Sequence, residues 1–170
     1  GYVALAKDGK YREALELIRR DNVLPGICGR VCTHPCEVAC RRGEIDSPLA
    51  IRDIKRFLAD HELADGEETV PEGSKLRKPS PVHENSQSIA IIGSGPAGLA
   101  AAADLARLGY SPVILEREEQ AGGLLRYGIG PYRLPREILD REIHYIESLG
   151  VRFKTSHAVD LPKDLHALKK

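Results

Sequence analysis

Residues 88–109 read SIAIIGSGPAGLAAAADLARLG, and this stretch determines the fold class of the second half of the chain. Its isoleucine-rich start predicts a buried β-strand over Ser88–Ile92, and its alanine-rich continuation predicts a helix over Pro96–Leu108. A further apolar run predicts a second strand over Ser111–Leu115. A strand, a glycine-rich turn, a helix and a strand in this order make one βαβ unit of a parallel sheet.

The turn between the first strand and the helix has the pattern G-x-G-x-x-G in residues 93–98. In dinucleotide-binding units the first glycine makes a tight turn, the second lets the backbone approach a pyrophosphate, and the third lets the helix pack closely on the strand. The helix N-terminus adds free N–H groups and a partial positive charge. The predicted cofactor-binding residues of the turn are Gly93, Gly95, Pro96, Ala97 and Gly98.

Glu116 follows the second predicted strand, where an acidic side chain can accept hydrogen bonds from ribose hydroxyls. Its charge disfavours a 2′-phosphate, so NADP is not expected at this turn. These residues alone leave both FAD and NAD open as the bound dinucleotide. A helix predicted from Pro135 to about Leu149 and a strand over residues 151–154 extend the unit.

All four cysteines of the chain lie in CGRVCTHPCEVAC, residues 28–40. On one straight helix the outer two sulfurs would lie roughly 18 Å apart, too far for a shared metal centre. The backbone must therefore bend, and Gly29 and Pro35 allow it to do so. A reversal after Pro35 would place the first two cysteines against the last two. The predicted metal ligands are Cys28, Cys32, Cys36 and Cys40.

Four thiolates in a compact segment suit an iron–sulfur cluster, whose usual protein donors are cysteines. Zinc is the rival metal, because structural zinc sites also use cysteine pairs at short spacing, although they usually leave a longer gap between the pairs. Two disulfides, or plain buried cysteines, are the remaining interpretation, and a chain without features of a secreted protein disfavours disulfides.

The first 63 residues are predicted to be helical. Residues 2–20 have the spacing of two short helices joined at Gly9, and residues 21–27 are predicted to be a loop. An amphipathic helix is predicted after Ser47-Pro48. Residues 64–87 are rich in Glu, Pro, Gly, Ser and Lys, which predicts a linker.

Composition restricts the class of protein. The chain has 25 basic and 25 acidic residues and no net charge, so neither nucleic acid nor an anionic membrane is an expected partner. The longest apolar run is far shorter than the roughly 20 residues of a spanning helix, and we expect a cytoplasmic protein. The chain starts at Gly1, lacks methionine and provides only two or three strands, so we expect it to be part of a longer protein.

Three stretches resemble one known family. They are CGRVCTHPCEVACRRG with the later PLAIRDIKRF, then IAIIGSGPAGLAAA, and finally GGLLRYGIGPYRLPREILDREI. Together they resemble the glutamate synthase small subunit, the N-terminal half of dihydropyrimidine dehydrogenase, and related FAD- and 4Fe-4S-containing NAD(P)H oxidoreductases. The last stretch is the most particular of the three.

The resemblance implies a multi-domain fold. Residues 1–63 would form a helical 4Fe-4S domain of the alpha-helical ferredoxin type, residues 64–87 a linker, and residues 88–170 an incomplete α/β Rossmann-like FAD/NAD(P)-binding domain. It favours FAD over NAD at the glycine turn and places Gly123, Leu124 and Arg126 near the flavin half. It also implies an NAD(P)H site outside this chain, and an upstream cysteine group that shares two 4Fe-4S clusters with the four cysteines here.

The function that the resemblance implies is electron transfer between NAD(P)H and an iron–sulfur chain, with a partner redox subunit or domain. No catalytic acid, base or nucleophile is predicted, because the cofactors carry the chemistry. The alternative is a docking module, stabilised by zinc or a cluster, in which the nucleotide-binding unit is structural. A complete NAD-dependent enzyme with a zinc clip is a third hypothesis.

Overall fold

The computed structural model of the chain describes residues 1–64 and 88–168. The first range is helical, and its elements are α1 (Tyr2–Lys7), α2 (Tyr11–Arg19), α3 (Pro25–Val31), α4 (Pro35–Val38), a 3-10 turn (Arg41–Glu44) and α5 (Ile51–Ala64). The second range alternates strands and helices: β1 (Ser88–Ile92), α6 (Pro96–Arg107), β2 (Ser111–Leu115), α7 (Leu124–Tyr127), α8 (Arg136–Ser148), β3 (Arg152–Lys154) and α9 (Leu161–Leu168).

The first two helices form the predicted hairpin. The chain turns between them at Gly9, whose φ of +74° is a conformation that glycine adopts most easily. Helix α2 buries Ala14, Leu15 and Ile18 against Leu58 of α5. The apolar faces of α2 and α5 therefore pack against each other because this contact removes them from water.

Helix α3 corrects the prediction of a loop over residues 21–27, because the helix already starts at Pro25. Proline is compatible with the first turn of a helix, where its missing N–H has no partner to lose. The glycines that suggested a turn instead allow close packing: a Cβ on Gly29 would lie 2.8 Å from Cα of Arg56 in α5. Helix α3 therefore needs glycine on the side that faces α5.

The three described strands form a parallel sheet in the order β1–β2–β3. Strand β1 pairs with β2 from Ser88 opposite Ser111 to Ile92 opposite Leu115, and β2 pairs with β3. The predicted βαβ unit is confirmed. Strand β1 is less buried than expected, since its side chains alternate between exposed and half-buried. It lies at the edge of the described sheet.

One apolar core joins the helical range to the sheet. Val23, Leu24 and Ile27 belong to the same buried cluster as residues of α6, β2 and α8. The linker proposed over residues 64–87 lies outside the described residues apart from Ala64, so the division into domains stays a prediction. Within the described ranges no helix is both long and apolar enough to cross a membrane.

Candidate functional site

An open cleft of about 570 Å³ lies at the carboxyl ends of the three strands. Residues 92–95 line it after β1, residues 115–118 after β2 and residues 157–159 after β3, with Gly123, Leu124 and Tyr127 on the remaining side. Ligands of open α/β sheets bind outside the carboxyl ends of the strands, and the volume is within the usual range for ligand pockets. The cleft is therefore the candidate nucleotide site.

The glycine turn opens directly onto this cleft. Gly93 has φ of +91°, and no heavy atom lies within 4 Å of where a Cβ would stand on Gly93 or Gly95. Behind the turn, a Cβ on Gly98 would lie 2.1 Å from the carbonyl oxygen of Gly93, so only glycine fits there. This arrangement leaves room for a ligand on one side of the turn and brings α6 close on the other.

Ser94 connects the turn to Glu116. Its side chain is fully buried, its hydroxyl donates to Oε2 of Glu116, and its backbone N–H donates to the same oxygen at 2.9 Å. The backbone N–H of Gly122 donates to the Ser94 hydroxyl at 2.8 Å. Ser94 thus joins β1, β2 and the loop before α7 through one side chain.

Glu116 is ionised in this setting. Burial raises the pKa of its carboxyl, but hydrogen bonds from the N–H of Glu118 and from the hydroxyl and N–H of Ser94 lower it by more, so the net shift is downward. The N–H of Glu118 donates to Oε1 at 3.0 Å. Hydrogen bonds therefore hold this carboxyl group at the wall of the cleft, and the exclusion of a 2′-phosphate stays a prediction.

The other predicted cofactor residues fall into two groups. Gly123 and Leu124 line the cleft, and a Cβ on Gly123 would lie 2.9 Å from Cα of Gly95, so the loop before α7 packs on the glycine turn. Arg126 is not among the lining residues: its Nε donates to the carbonyl of Ala121, and its guanidinium pairs with Asp140 of α8. The cleft is likewise not lined by Pro96, Ala97 and Gly98, which start α6 behind the turn.

Sequence reasoning missed Ser94, Tyr127 and His157. Ser94 occupies a variable position of the glycine pattern, and the only signal was a small polar residue within an otherwise apolar strand and turn. The N–H of His157 donates to the carbonyl of Glu116 at 2.8 Å, which fixes the wall after β3. Nothing in the local sequence indicated that residues 157–159 return to the cleft.

The cysteine segment reverses direction earlier than predicted. Cys28 lies in α3, and Cys32 follows that helix with an extended backbone. His34 then adopts the left-handed conformation with φ of +49°, and its N–H donates to the Cys32 sulfur at 3.3 Å. The reversal therefore takes place at residues 32–34, before Pro35, and Cys36 follows in α4.

The four thiols are free rather than paired in disulfides. Burial raises the pKa of Cys28, whose thiol lies 3.6 Å from Oδ1 of Asn22. Backbone N–H groups of Leu49 and Arg42 lower the pKa of Cys40 by hydrogen bonding to its sulfur. A thiolate is the form that binds a metal or cluster, so the donor chemistry at Cys40 fits a ligand.

The four cysteine side chains do not converge on one point in this structure. Over residues 1–64 and 88–168, no three side chains of Cys, His, Asp or Glu come within reach of one metal ion. Cys28, Cys32, Cys36 and Cys40 are thus suitable donors that do not by themselves surround a common centre in this arrangement. Their role as metal ligands stays a prediction.

Two family models match the two ranges of the chain. Residues 1–67 match the model described as dihydropyrimidine dehydrogenase domain II, 4Fe-4S cluster. Residues 91–158 match the NAD(P)-binding Rossmann-like domain. The first match contains the cysteine segment, and the second contains the glycine turn, Glu116 and the loop before α7.

Several curated proteins are similar over most of the chain. The NADP(+)-dependent formate dehydrogenase subunit beta of Moorella thermoacetica is 44% identical over 178 residues, which cover 96% of this chain and 25% of that protein. The NADPH-Fe(3+) oxidoreductase subunit beta of Geobacter sulfurreducens is 40% identical over 88% of this chain and 21% of its own length. The NAD-dependent dihydropyrimidine dehydrogenase subunit PreT of Salmonella typhimurium is 39% identical over 94% of this chain and 37% of its own.

Proposed function

The chain belongs to the family that joins a dihydropyrimidine dehydrogenase domain II 4Fe-4S region to an NAD(P)-binding Rossmann-like region, and we propose that it carries electrons between NAD(P)H and an iron–sulfur chain. The chain spans 25%, 21% and 37% of the length of the three relatives named above. The proposed enzyme is therefore the whole protein, an NAD(P)H-linked FAD and iron–sulfur oxidoreductase.

The observation that carries the proposal is the open face of the glycine turn beside the ionised Glu116. In this proposal the backbone of Gly93 and Gly95 and the N-terminus of α6 hold a pyrophosphate, and Glu116 accepts from a ribose. FAD fits better than NADP because Glu116 would repel a 2′-phosphate. The NAD(P)H site of the whole protein would then lie outside this cleft, and Gly123 and Leu124 would lie near the flavin half.

When bound, FAD accepts a hydride and releases single electrons. The chain's own residues bind and orient it, and we assign no catalytic side chain. Cys28, Cys32, Cys36 and Cys40 are the proposed iron–sulfur ligands. Since the described residues do not close around one centre, we propose that donors elsewhere in the whole protein complete the coordination.

A partner redox subunit or domain is part of the proposal. The relatives are named as beta subunits or as subunit PreT, and their names refer to formate, Fe(3+) and dihydropyrimidine. Proteins with different substrates thus share this region, so we infer that the terminal acceptor is determined outside it. A glutamate synthase small-subunit-like role rests on the sequence motifs alone.

The experiment that tests the dinucleotide is a titration of the protein with FAD, NAD+ and NADP+, followed by flavin fluorescence and calorimetry. FAD should bind, and Gly95→Ala should weaken binding strongly with little loss of stability, because a Cβ at this position meets no protein atom within 4 Å but enters the ligand space. Gly1→Ala is the control. Preferential binding of NADP+, or unchanged FAD affinity in the Gly95 variant, would contradict the assignment.

A second candidate function is the metal-stabilised docking module. Val38 lies between Cys36 and Cys40, and Ile45 follows them; they are 84% and 87% exposed, which a partner subunit could cover. Anaerobic analysis of iron, sulfide, zinc and flavin separates the two functions. Iron with sulfide and flavin supports the oxidoreductase, whereas stoichiometric zinc without iron uptake supports docking.

A further inference from the structure

Helix α3, which carries Cys28, lies between α5 and α8. Gly29 faces α5, where any side chain would meet the Arg56 backbone at 2.8 Å. Gly26 faces α8, where a Cβ would lie 2.9 Å from Oε1 of Glu142 and 3.3 Å from Cγ2 of Ile138. The cysteine helix is thus in direct contact with a helix of the nucleotide-binding unit.

Glu142 makes the polar contact at this junction. Its side chain is buried, at 4% exposure, and its Oε1 accepts the backbone N–H of Gly26 at 3.0 Å across 116 residues of sequence. The first N–H groups of a helix have no partner within the helix, and a buried one left unpaired is destabilising. Its Oε2 has no hydrogen-bond partner among the described residues.

Charged groups from four helices surround this carboxyl. Arg19 of α2 makes a bidentate pair with Glu62 of α5, with N–O distances of 2.6 and 2.7 Å, and its guanidinium lies 4.0 Å from the ring centre of Tyr145 in α8. Arg141 of α8 donates to the carbonyl of Glu62 at 2.6 Å. Arg30 of α3 donates to the carbonyl of Gly26 at 3.2 Å. The junction is therefore a polar network rather than apolar packing alone.

The same helix α8 also contacts the side of the cleft. Asp140, two residues before Glu142, pairs with Arg126 of α7, and α7 contributes Leu124 and Tyr127 to the cleft wall. A continuous series of contacts therefore runs from the cleft through α7 and α8 to Gly26, two residues before Cys28. In the proposed function, this series of contacts would set the distance between a dinucleotide in the cleft and a cluster held by the cysteines.

We propose that Glu142 is a positioning residue, which holds the first turn of α3, and with it the cysteine segment, at a fixed place relative to the nucleotide cleft. The role in electron transfer rests on the proposed function, whereas the contact between Glu142 and α3 can be tested without it. An alternative is that Glu142 only fills space in the core. If Glu142 is a positioning residue, only a substitution that keeps an oxygen acceptor in place preserves the order of α3. If it only fills space, a substitution of similar volume is sufficient.

The test compares three substitutions on the protein as purified. Glu142→Gln keeps an oxygen acceptor for the Gly26 N–H, Glu142→Leu keeps similar volume without an acceptor, and Glu142→Asp keeps the carboxyl group but is one methylene too short. Glu137→Gln, on the exposed face of α8, is the matched control for a lost carboxylate. Hydrogen–deuterium exchange is read by mass spectrometry on peptides that cover α3 and β2.

Exchange of the α3 peptide should increase at least about tenfold in the Leu and Asp variants, because an unpaired buried donor favours local opening. It should stay within about twofold of the wild type in the Gln variant and the control. The β2 peptide should change less than the α3 peptide in the Leu and Asp variants. If the Leu variant does not fold, the Asp variant carries the same comparison.

Equal exchange in the Gln, Leu and Asp variants would overturn the positioning role and leave space filling. FAD binding is measured in the same preparations. Absence of FAD binding in the wild type would contradict the proposed function while the exchange comparison still decides the role of Glu142, so the two failures are distinguishable.

Discussion

Ser94 is a single buried hydroxyl that satisfies two other buried groups, the carboxylate of Glu116 and the N–H of Gly122. A buried donor or acceptor that loses its partner costs about 1–3 kcal/mol. Its removal therefore affects both stability and the position of Glu116. No motif assigns this role to Ser94, because its partners come from separate loops.

We expect Ser94→Ala to lower the free energy of unfolding by about 1–3 kcal/mol and to weaken FAD binding. The Gly122 N–H would be left unpaired, and Glu116 would lose the hydroxyl that holds it. Urea unfolding and FAD titration measure the two effects. Ser47→Ala, at an exposed position, is the control, and unchanged binding in the Ser94 variant would show that Glu116 is held without the hydroxyl.

Glu142 gives the protein a pH dependence of a defined sign. Burial raises the pKa of this carboxyl from 4.5 to about 7, against the opposing charge of Arg19. The folded state therefore binds the proton more tightly than the unfolded state. The contribution to stability is fully present below about pH 4.5 and is lost as pH rises to about 7.

In Glu142→Gln this component should be absent, so the difference in unfolding free energy between wild type and variant should change by on the order of 3 kcal/mol across that window. Groups with lowered pKa values, such as Asp46 beside Arg42, act in the opposite direction and are common to both proteins. Urea unfolding at a series of pH values measures the difference. A difference that is flat between pH 4.5 and 7 would contradict the raised pKa.

Close contact between α3 and α5 depends on Gly29, since a Cβ there would lie 2.8 Å from both N and Cα of Arg56. Backbone atoms cannot rotate away, so Gly29→Ala must separate the two helices. We expect a loss of about 1–3 kcal/mol in stability, which urea unfolding measures. Gly43→Ala, whose Cβ would meet the Pro48 ring at 3.3 Å, should cause a smaller loss. Equal losses would show that the helices adjust.

Local sequence predicted the strands and long helices well because their signals are local. The run of isoleucines, the alanine-rich helix and the glycine after α8 identified β1, α6 and the end of α8 within a residue or two. Helix α3 was missed because Pro25-Gly26 has the composition of a turn, and the reason for these residues lies in α5 and α8. The position of the reversal depends on the left-handed His34, which no spacing rule indicated.

The glycine turn and the four cysteines were likewise found from spacing, whereas the network that organises them was not. Ser94 and Gly122 are 28 residues apart, and Gly26 and Glu142 are 116 apart. Such contacts depend on how the elements pack, and a single sequence carries no periodic signal for them. The sequence therefore predicted which residues could bind cofactors but not what holds those residues in place.

At the level of the whole molecule, the described ranges share one core although composition suggested two domains. Ile27 of α3 is 2% exposed and belongs to the same cluster as Leu99, Ile114 and Ile146. The second cluster, around Leu15 and Leu58, lies within the helical range alone. A substitution in the shared core should therefore destabilise both ranges, whereas one in the second cluster should first destabilise the helical range.

We expect Ile27→Ala to lower stability by about 2–5 kcal/mol and to shift the unfolding of both ranges together, because the cavity would open in the shared core. Ile18→Ala, in the helical cluster, should have its first effect on α2 and α5. Hydrogen–deuterium exchange at increasing urea, read on peptides from α3, α5 and β2, distinguishes these patterns. If Ile27→Ala leaves the β2 peptide at its wild-type midpoint, the two ranges unfold independently, and the cysteine segment would then be free to move relative to the cleft rather than fixed by their common core.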